Sequence, residues 1–188
     1  MRMPSFDPIA HPAEKKEEET RETREPALCG DIDMRISRNG TWFYHGSPIG
    51  RKSLVRLFST VLRRDDEGRF WLVTPVEKAR IEVEDAPFVA VEMTATGEGE
   101  SQELRFRTNV DDEVVAGPDH PIRVTEDGGE PAPYIRVRDG LEARLARSVF
   151  YELVERAELR EAGGERVMSV RSRGALFDLG TLPDDADA

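Results

Sequence analysis

The sequence predicts an α+β protein of two similar small domains, each a mostly antiparallel sheet packed against one amphipathic helix. Three observations lead there. Two stretches, near residues 51–64 and 145–159, carry apolar residues at helical spacing. Each is flanked by short segments with the period-two alternation of half-buried strands. The chain has 188 residues, enough for two small domains with a core each. The predicted divisions are a disordered charged tail over 1–28, an N-terminal domain over 29–86, a C-terminal domain over 87–180 and an acidic tail over 181–188. The first tail follows from residues 14–25, which are almost all charged or Thr and cannot bury enough apolar area to offset their ordering entropy.

In chain order, Ile32, Met34 and Ile36 alternate with Asp31, Asp33 and Arg35, which predicts a strand. Asn39-Gly40 follows as a two-residue type I′ turn, because both central residues of that turn need positive φ. The partner strand is Thr41 to His45. This register sets Ser37 against Trp42, Ile36 against Phe43 and Arg35 against Tyr44. Phe43 then joins the apolar face, while Trp42 and Tyr44 share the polar face with Asp31, Asp33 and Arg35.

Gly46 to Gly50 breaks the strand and leads into a helix over 51–64, with Leu54, Val55, Leu57, Phe58, Val61 and Leu62 as its buried stripe. Arg63 and Arg64 fall in its last turn, where cations suit the helix dipole. Strands follow over 69–74, 79–84 and 88–96, separated by Pro75 and Pro87. Further strands fall at 104–109, 122–125 and 134–138. A second helix covers 145–159, with Val149, Phe150, Leu153, Val154 and Ala157 on one face, and strands at 166–171 and 175–179 close the chain. At an offset of 95 positions Ser53-Leu54-Val55 aligns with Ser148-Val149-Phe150, which suggests an internal duplication.

Composition bounds the partners. The net charge of −11 opposes nonspecific nucleic-acid binding and anionic membranes. No apolar run approaches the roughly 18 residues of a spanning helix, and the start of the chain shows no secretory pattern. The single cysteine, Cys29, excludes an internal disulfide and suits a reducing compartment, so the expected location is cytoplasmic. Three scattered histidines and one Cys make no zinc spacing, and no cofactor is expected.

Three strings taken together resemble an uncharacterised bacterial family, domain of unknown function 1285. They are Gly30-Asp31-Ile32-Asp33-Met34-Arg35-Ile36, then Trp42 to Ile49 with Arg51, then Leu72 to Lys78 with Glu84-Asp85-Ala86-Pro87-Phe88. The resemblance covers about residues 29 to 180. It implies two small α+β domains side by side, a suggested ligand-binding or signalling role and no agreed catalytic residues.

The candidate ligand-binding residues are Asp31, Asp33, Arg35, Trp42, Tyr44 and Arg51: aromatic and charged groups on one rigid face suit a partner with an apolar body and a polar end. The expected function is noncatalytic binding of a small molecule or protein, in a regulatory setting, on the N-terminal half or at the cleft between domains. Two alternatives stand beside it. One is a hydrolase-like enzyme using Asp31, Asp33 or His45; the other is a structural adaptor recruiting a partner through its charged tail.

Overall fold

The computed structural model describes residues 27–182. The expected tails therefore lie largely outside the described residues, except that Ala27 and Leu28 open a strand and Thr181 and Leu182 end one.

The first half runs β1 (Ala27–Ile36), β2 (Trp42–Tyr44), β3 (Ser47–Pro48), α1 (Lys52–Val61), β4 (Leu62–Arg64), β5 (Phe70–Val73) and β6 (Glu77–Val83). Its strands form one mixed sheet in the order β3-β2-β1-β6-β5-β4, with β1 and β6 the parallel pair. Met34 and Ile36 are buried, as their alternation requires. Helix α1 lays Val55, Phe58 and Val61 against that core. It is three residues shorter than expected at its C-terminus. Leu62 turns extended and pairs with Leu72 as a fully buried strand residue, so Arg63 and Arg64 lie in β4 rather than in a helical turn. Arg63 still donates to the Thr60 and Leu62 carbonyls, at 2.9 and 2.7 Å.

The hairpin register differs from expectation by one residue. Met34 pairs with Tyr44, Arg35 with Phe43 and Ile36 with Trp42. Asn39-Gly40 is not a two-residue turn. The Ser37 amide donates to the Thr41 carbonyl and the Gly40 amide to the Ser37 carbonyl, leaving a three-residue loop, Arg38 to Gly40, with Gly40 at φ +80°. The two-residue turn with both residues at positive φ occurs instead at His45-Gly46, joining β2 to β3. A slip of one exchanges the faces of the strand. Trp42 therefore goes inward, 1% exposed and stacked on Phe58 with ring centroids 6.2 Å apart, and it is absent from the polar face. Phe43 goes outward, under the Arg35 guanidinium.

The second half runs β7 (Phe88–Thr96), β8 (Glu103–Thr108), β9 (Glu113–Val115), β10 (Ile122–Asp127), β11 (Glu130–Arg138), β12 (Leu141–Leu145), α2 (Arg147–Val154), β13 (Glu158–Ala162), β14 (Glu165–Ser172) and β15 (Ala175–Leu182). It holds two sheets rather than the one expected: a mixed sheet β10-β11-β12-β7-β8-β9, in which β12 and β7 run parallel, and an antiparallel sheet β13-β14-β15. Helix α2 contacts both β7 and β14. The Ser172 hydroxyl accepts the Leu104 amide and donates to the Ala116 carbonyl, and so ties the smaller sheet to the end of the β8–β9 ladder. The sequence three strands, helix, three strands occurs twice, as β1–β6 around α1 and β10–β15 around α2.

One apolar cluster joins the halves, with Ile36, Trp42 and Leu72 in contact continuity with Phe88, Phe106 and Leu153. Polar contacts fix their orientation. Asn109 Nδ2 donates to the Gly40 carbonyl at 3.0 Å, while its Oδ1 accepts the Val89 amide. Arg138 donates to Asp112 and to the Ser59 carbonyl near the end of α1, at 2.8 and 2.6 Å. At the junction between β6 and β7, Asp85 accepts the Tyr134 hydroxyl at 2.7 Å and Arg144 Nη1 at 2.5 Å. Burial, then the bond to Asp85 and its negative charge, push the Tyr134 phenol up to about 12.

Three outcomes follow. In chemical denaturation Trp42→Ala loses about 3–5 kcal/mol, whereas Tyr44→Ala, at a site 48% exposed, loses under about 1 kcal/mol. Gly40→Ala loses about 2 kcal/mol or more, because φ is left-handed and a Cβ there would lie 2.5 Å from Asn109 Nδ2. In an ultraviolet titration of phenolate absorbance, one of the three tyrosines ionises last, near pH 12, and Tyr134→Phe removes that step. Because the folded value lies above the unfolded one, the stability linked to Tyr134 is present below pH ~10 and lost as pH rises through about 12.

Candidate functional site

The six residues singled out from the sequence do not converge. Asp31 is held by Arg80 Nη2 at 2.5 Å, across the parallel pair that puts the two residues in register. Arg35 bonds Glu84. The Arg38 amide first, and then the Arg35 guanidinium, hold the Glu84 carboxyl below the usual carboxylate range against its partial desolvation. Trp42 is in the core, Tyr44 stands exposed with its ring 4.2 Å from that of His45, and Arg51 is exposed at the start of α1, where its side chain makes no cap.

Asp33 Oδ2 lies 3.2 Å from His45 Nδ1. This is the one contact that groups residues of the hydrolase-like reading. Both side chains are about two-thirds exposed, so a proton moved there exchanges with bulk water. Asp31 and Asp33 also line a polar hollow of about 510 Å³ with Arg69, Arg80 and Glu82, where the β1–β6 register is irregular between Asp31 and Arg35. Its two arginines are engaged, Arg80 by Asp31 and Arg69 by Asp65 and Glu67. Among the described residues no group of three or more His, Cys, Asp or Glu side chains could hold a metal ion.

A mainly apolar opening lies in the second half. In the first half, the first and sixth strands, β1 and β6, are hydrogen-bonded neighbours. Their counterparts by position, β10 and β15, lie side by side but remain edges of different sheets. Between them is a cleft of about 770 Å³. Phe150, Tyr151 and Val154 of α2 form one wall. Val124 and Glu126 come from β10, Pro131 from β11, Met168 from β14, and Asp178 to Thr181 from β15.

The local sequence explains each contribution. Ile122, Val124 and Glu126 fall on one face of β10 by alternation, so Glu126 carries a carboxylate to the rim of an otherwise apolar face. Phe150 and Val154, four apart, share a stripe of α2 and stay half-buried because no strand covers them fully. Asp178 is fixed by Arg160, which donates to both its oxygens at 2.7 and 2.8 Å, and by the Ser169 hydroxyl at 2.7 Å. Those bonds, Arg160 first, hold its carboxyl below the usual range.

By their local pattern Val124, Phe150, Val154 and Leu179 read as strand or buried-stripe residues, and that pattern does not announce the cleft. Gly180 lies inside β15 where its register with β14 shifts, but it follows the strand expected over 175–179 and so gives no local signal of a cleft.

Comparison with known proteins places this geometry in a family. A family model described as domain of unknown function (DUF1285), N-terminal domain, matches residues 22–86, and its C-terminal companion matches residues 87–179. The crystal structure of a DUF1285 family protein from Silicibacter pomeroyi DSS-3 is similar, with a TM-score of 0.79 and 50% identity over 84% of this chain and 85% of that one. A second, from Shewanella baltica OS155, has a TM-score of 0.53 and 27% identity over 66% of this chain and 91% of that one. No curated protein matches. With both family models matched in order along most of its length, the chain belongs to the DUF1285 family.

Proposed function

We propose that this chain is a noncatalytic, cytoplasmic binding protein that takes a small ligand with an apolar body in the cleft between β10 and β15. The observation that carries the reading is the cleft itself: about 770 Å³ of mainly apolar wall at the position where the first half closes its sheet. That volume suits a small organic molecule, and sites of this kind combine apolar walls with a few polar groups. The N-terminal hairpin offers less, because its large aromatic Trp42 is committed to the core. In this reading the halves derive from a duplicated unit of three strands, helix and three strands, closed in the first copy and left open in the second. A cytoplasmic setting agrees with the single cysteine and with the described residues, in which no helix is long and apolar enough to cross a membrane.

The test is a neutral apolar fluorophore, N-phenyl-1-naphthylamine. Its emission rises on adding the wild-type protein, and Val154→Trp, which fills the cleft from the α2 side, abolishes most of the rise while the cooperative unfolding transition is retained. An equal rise with a folded Val154→Trp variant would sink the assignment of the cleft as the ligand site.

A further inference from the structure

We propose that the cleft selects an organic cation, an ammonium group carried on an apolar body. The inference rests on the ligand-binding reading above and adds the charge of the ligand to it. Among the described residues that line the cleft there is no lysine, arginine or histidine, whereas two carboxylates line it, Glu126 and Asp178. They are not equivalent. The charge of Asp178 is offset by the bidentate Arg160. Glu126, among the described residues, has no ion-pair partner, so its negative charge at the rim is uncompensated.

Two arginines lie beside the cleft rather than in it. The neighbouring hollow shares Pro131, Phe150 and Tyr151 with the cleft and contains Arg144 and Arg147. Arg144 is engaged by Asp85 and Asp127, and Arg147 faces Glu130 at 3.6 Å. Arg144 is thus committed, whereas Arg147, about three-quarters exposed, forms only a weak surface pair outside the cleft. The rings of Phe150 and Tyr151 line the same space, and an aromatic face attracts a cation through its quadrupole. A net charge of −11 also favours the approach of cations. An ammonium at Glu126 would thus meet a carboxylate and aromatic faces with its apolar body against Val154, Met168 and Leu179. A carboxylate ligand would meet like charge and lose its hydration without a partner.

Calorimetric titration of the full chain with three probes of similar shape tests this: 2-phenylethylammonium, neutral 2-phenylethanol and anionic 3-phenylpropanoate. The ammonium is expected to bind about tenfold more tightly than the alcohol, and the carboxylate more weakly than either. The preference narrows as salt is raised. Glu126→Gln, a change at an exposed strand position, brings the ammonium down to the affinity of the alcohol and leaves the alcohol unchanged. Equal binding of ammonium and alcohol, or a preference that survives Glu126→Gln, overturns the charge selectivity while leaving the cleft as an apolar site. Failure of all three probes to bind the wild-type chain overturns both readings.

Discussion

The contact on which the arrangement of the two halves depends is the seating of Gly40 against Asn109. Gly40 occupies the left-handed region at the end of a three-residue loop, and its carbonyl accepts Asn109 Nδ2. The same Asn109 accepts the Val89 amide and donates its own amide to the Val89 carbonyl, so it behaves as an extra rung on β7 that reaches across to the hairpin. A Cβ at position 40 would intrude on Asn109 and reach to 3.0 Å from a Val89 methyl, so the approach is open to glycine alone. The loop sets the hairpin register, the register turns Trp42 inward, and Trp42 under Phe58 fixes α1. The end of α1 then receives Arg138 from the other half at the Ser59 carbonyl. Local turn geometry and domain packing are one constraint here. The cost of that solution is visible at the Trp42 indole nitrogen, which is buried and finds no acceptor among the described residues.

The two halves use one element order to different ends, and Ser172 shows why. In the first half the meander after the helix, β4 to β6, returns to pair β6 with β1 and completes a single sheet. In the second half the meander β13 to β15 is anchored elsewhere. Ser172, at the turn between β14 and β15, bridges Leu104 and Ala116, the Arg173 amide donates to the Gln102 carbonyl, and the Gln102 side chain donates to the Arg171 carbonyl. These bonds hold the turn against β8 and β9, strands with no counterpart in the first half. The Ser172 hydroxyl satisfies a buried donor and a buried acceptor at once, so detaching it leaves both unpaired. The smaller sheet is held by this anchor and by α2 while β10 and β15 remain separate edges.

The alternation of Ile32, Met34 and Ile36, most of the two helix stripes and the strand at 88–96 were legible because each depends on residues close in sequence, although Leu57, expected in the α1 stripe, is 60% exposed. The hairpin failed at one residue: Asn-Gly suits a two-residue turn intrinsically, but the Asn109 contact, 69 positions away, favours the longer loop. The end of α1 failed for the same reason, since Leu62 continues the helical stripe yet gains more by pairing with Leu72. Strand β12 was partly hidden because Leu145 also fits the phase of the following helix. Of the candidate residues, the ion pairs of Asp31 and Arg35 are with Arg80 and Glu84, some fifty positions on, and no local pattern announces them. The cleft was least legible of all. It consists of a pairing not made between strands at 122–127 and 175–182, and sequence patterns report what a segment can bury rather than which neighbour it lacks.

That missing pairing is where the fold departs from its own local logic. Strand edges in a folded chain are ordinarily paired, covered or guarded, because open backbone donors and acceptors invite association. Here two edges face one another over the apolar side of α2, and the first half demonstrates that the same element order can close such a gap. Keeping it open leaves Phe150 and Val154 only half covered and puts Glu126 beside them on a strand face that Ile122 and Val124 otherwise make apolar. Each of these features lowers the internal consistency of the second half. Local rules are broken together mainly where function sets the requirement. The coincidence of an open edge pair, a partly covered helix stripe and an unpaired carboxylate within one cavity therefore argues for a site more strongly than the volume of the cavity alone.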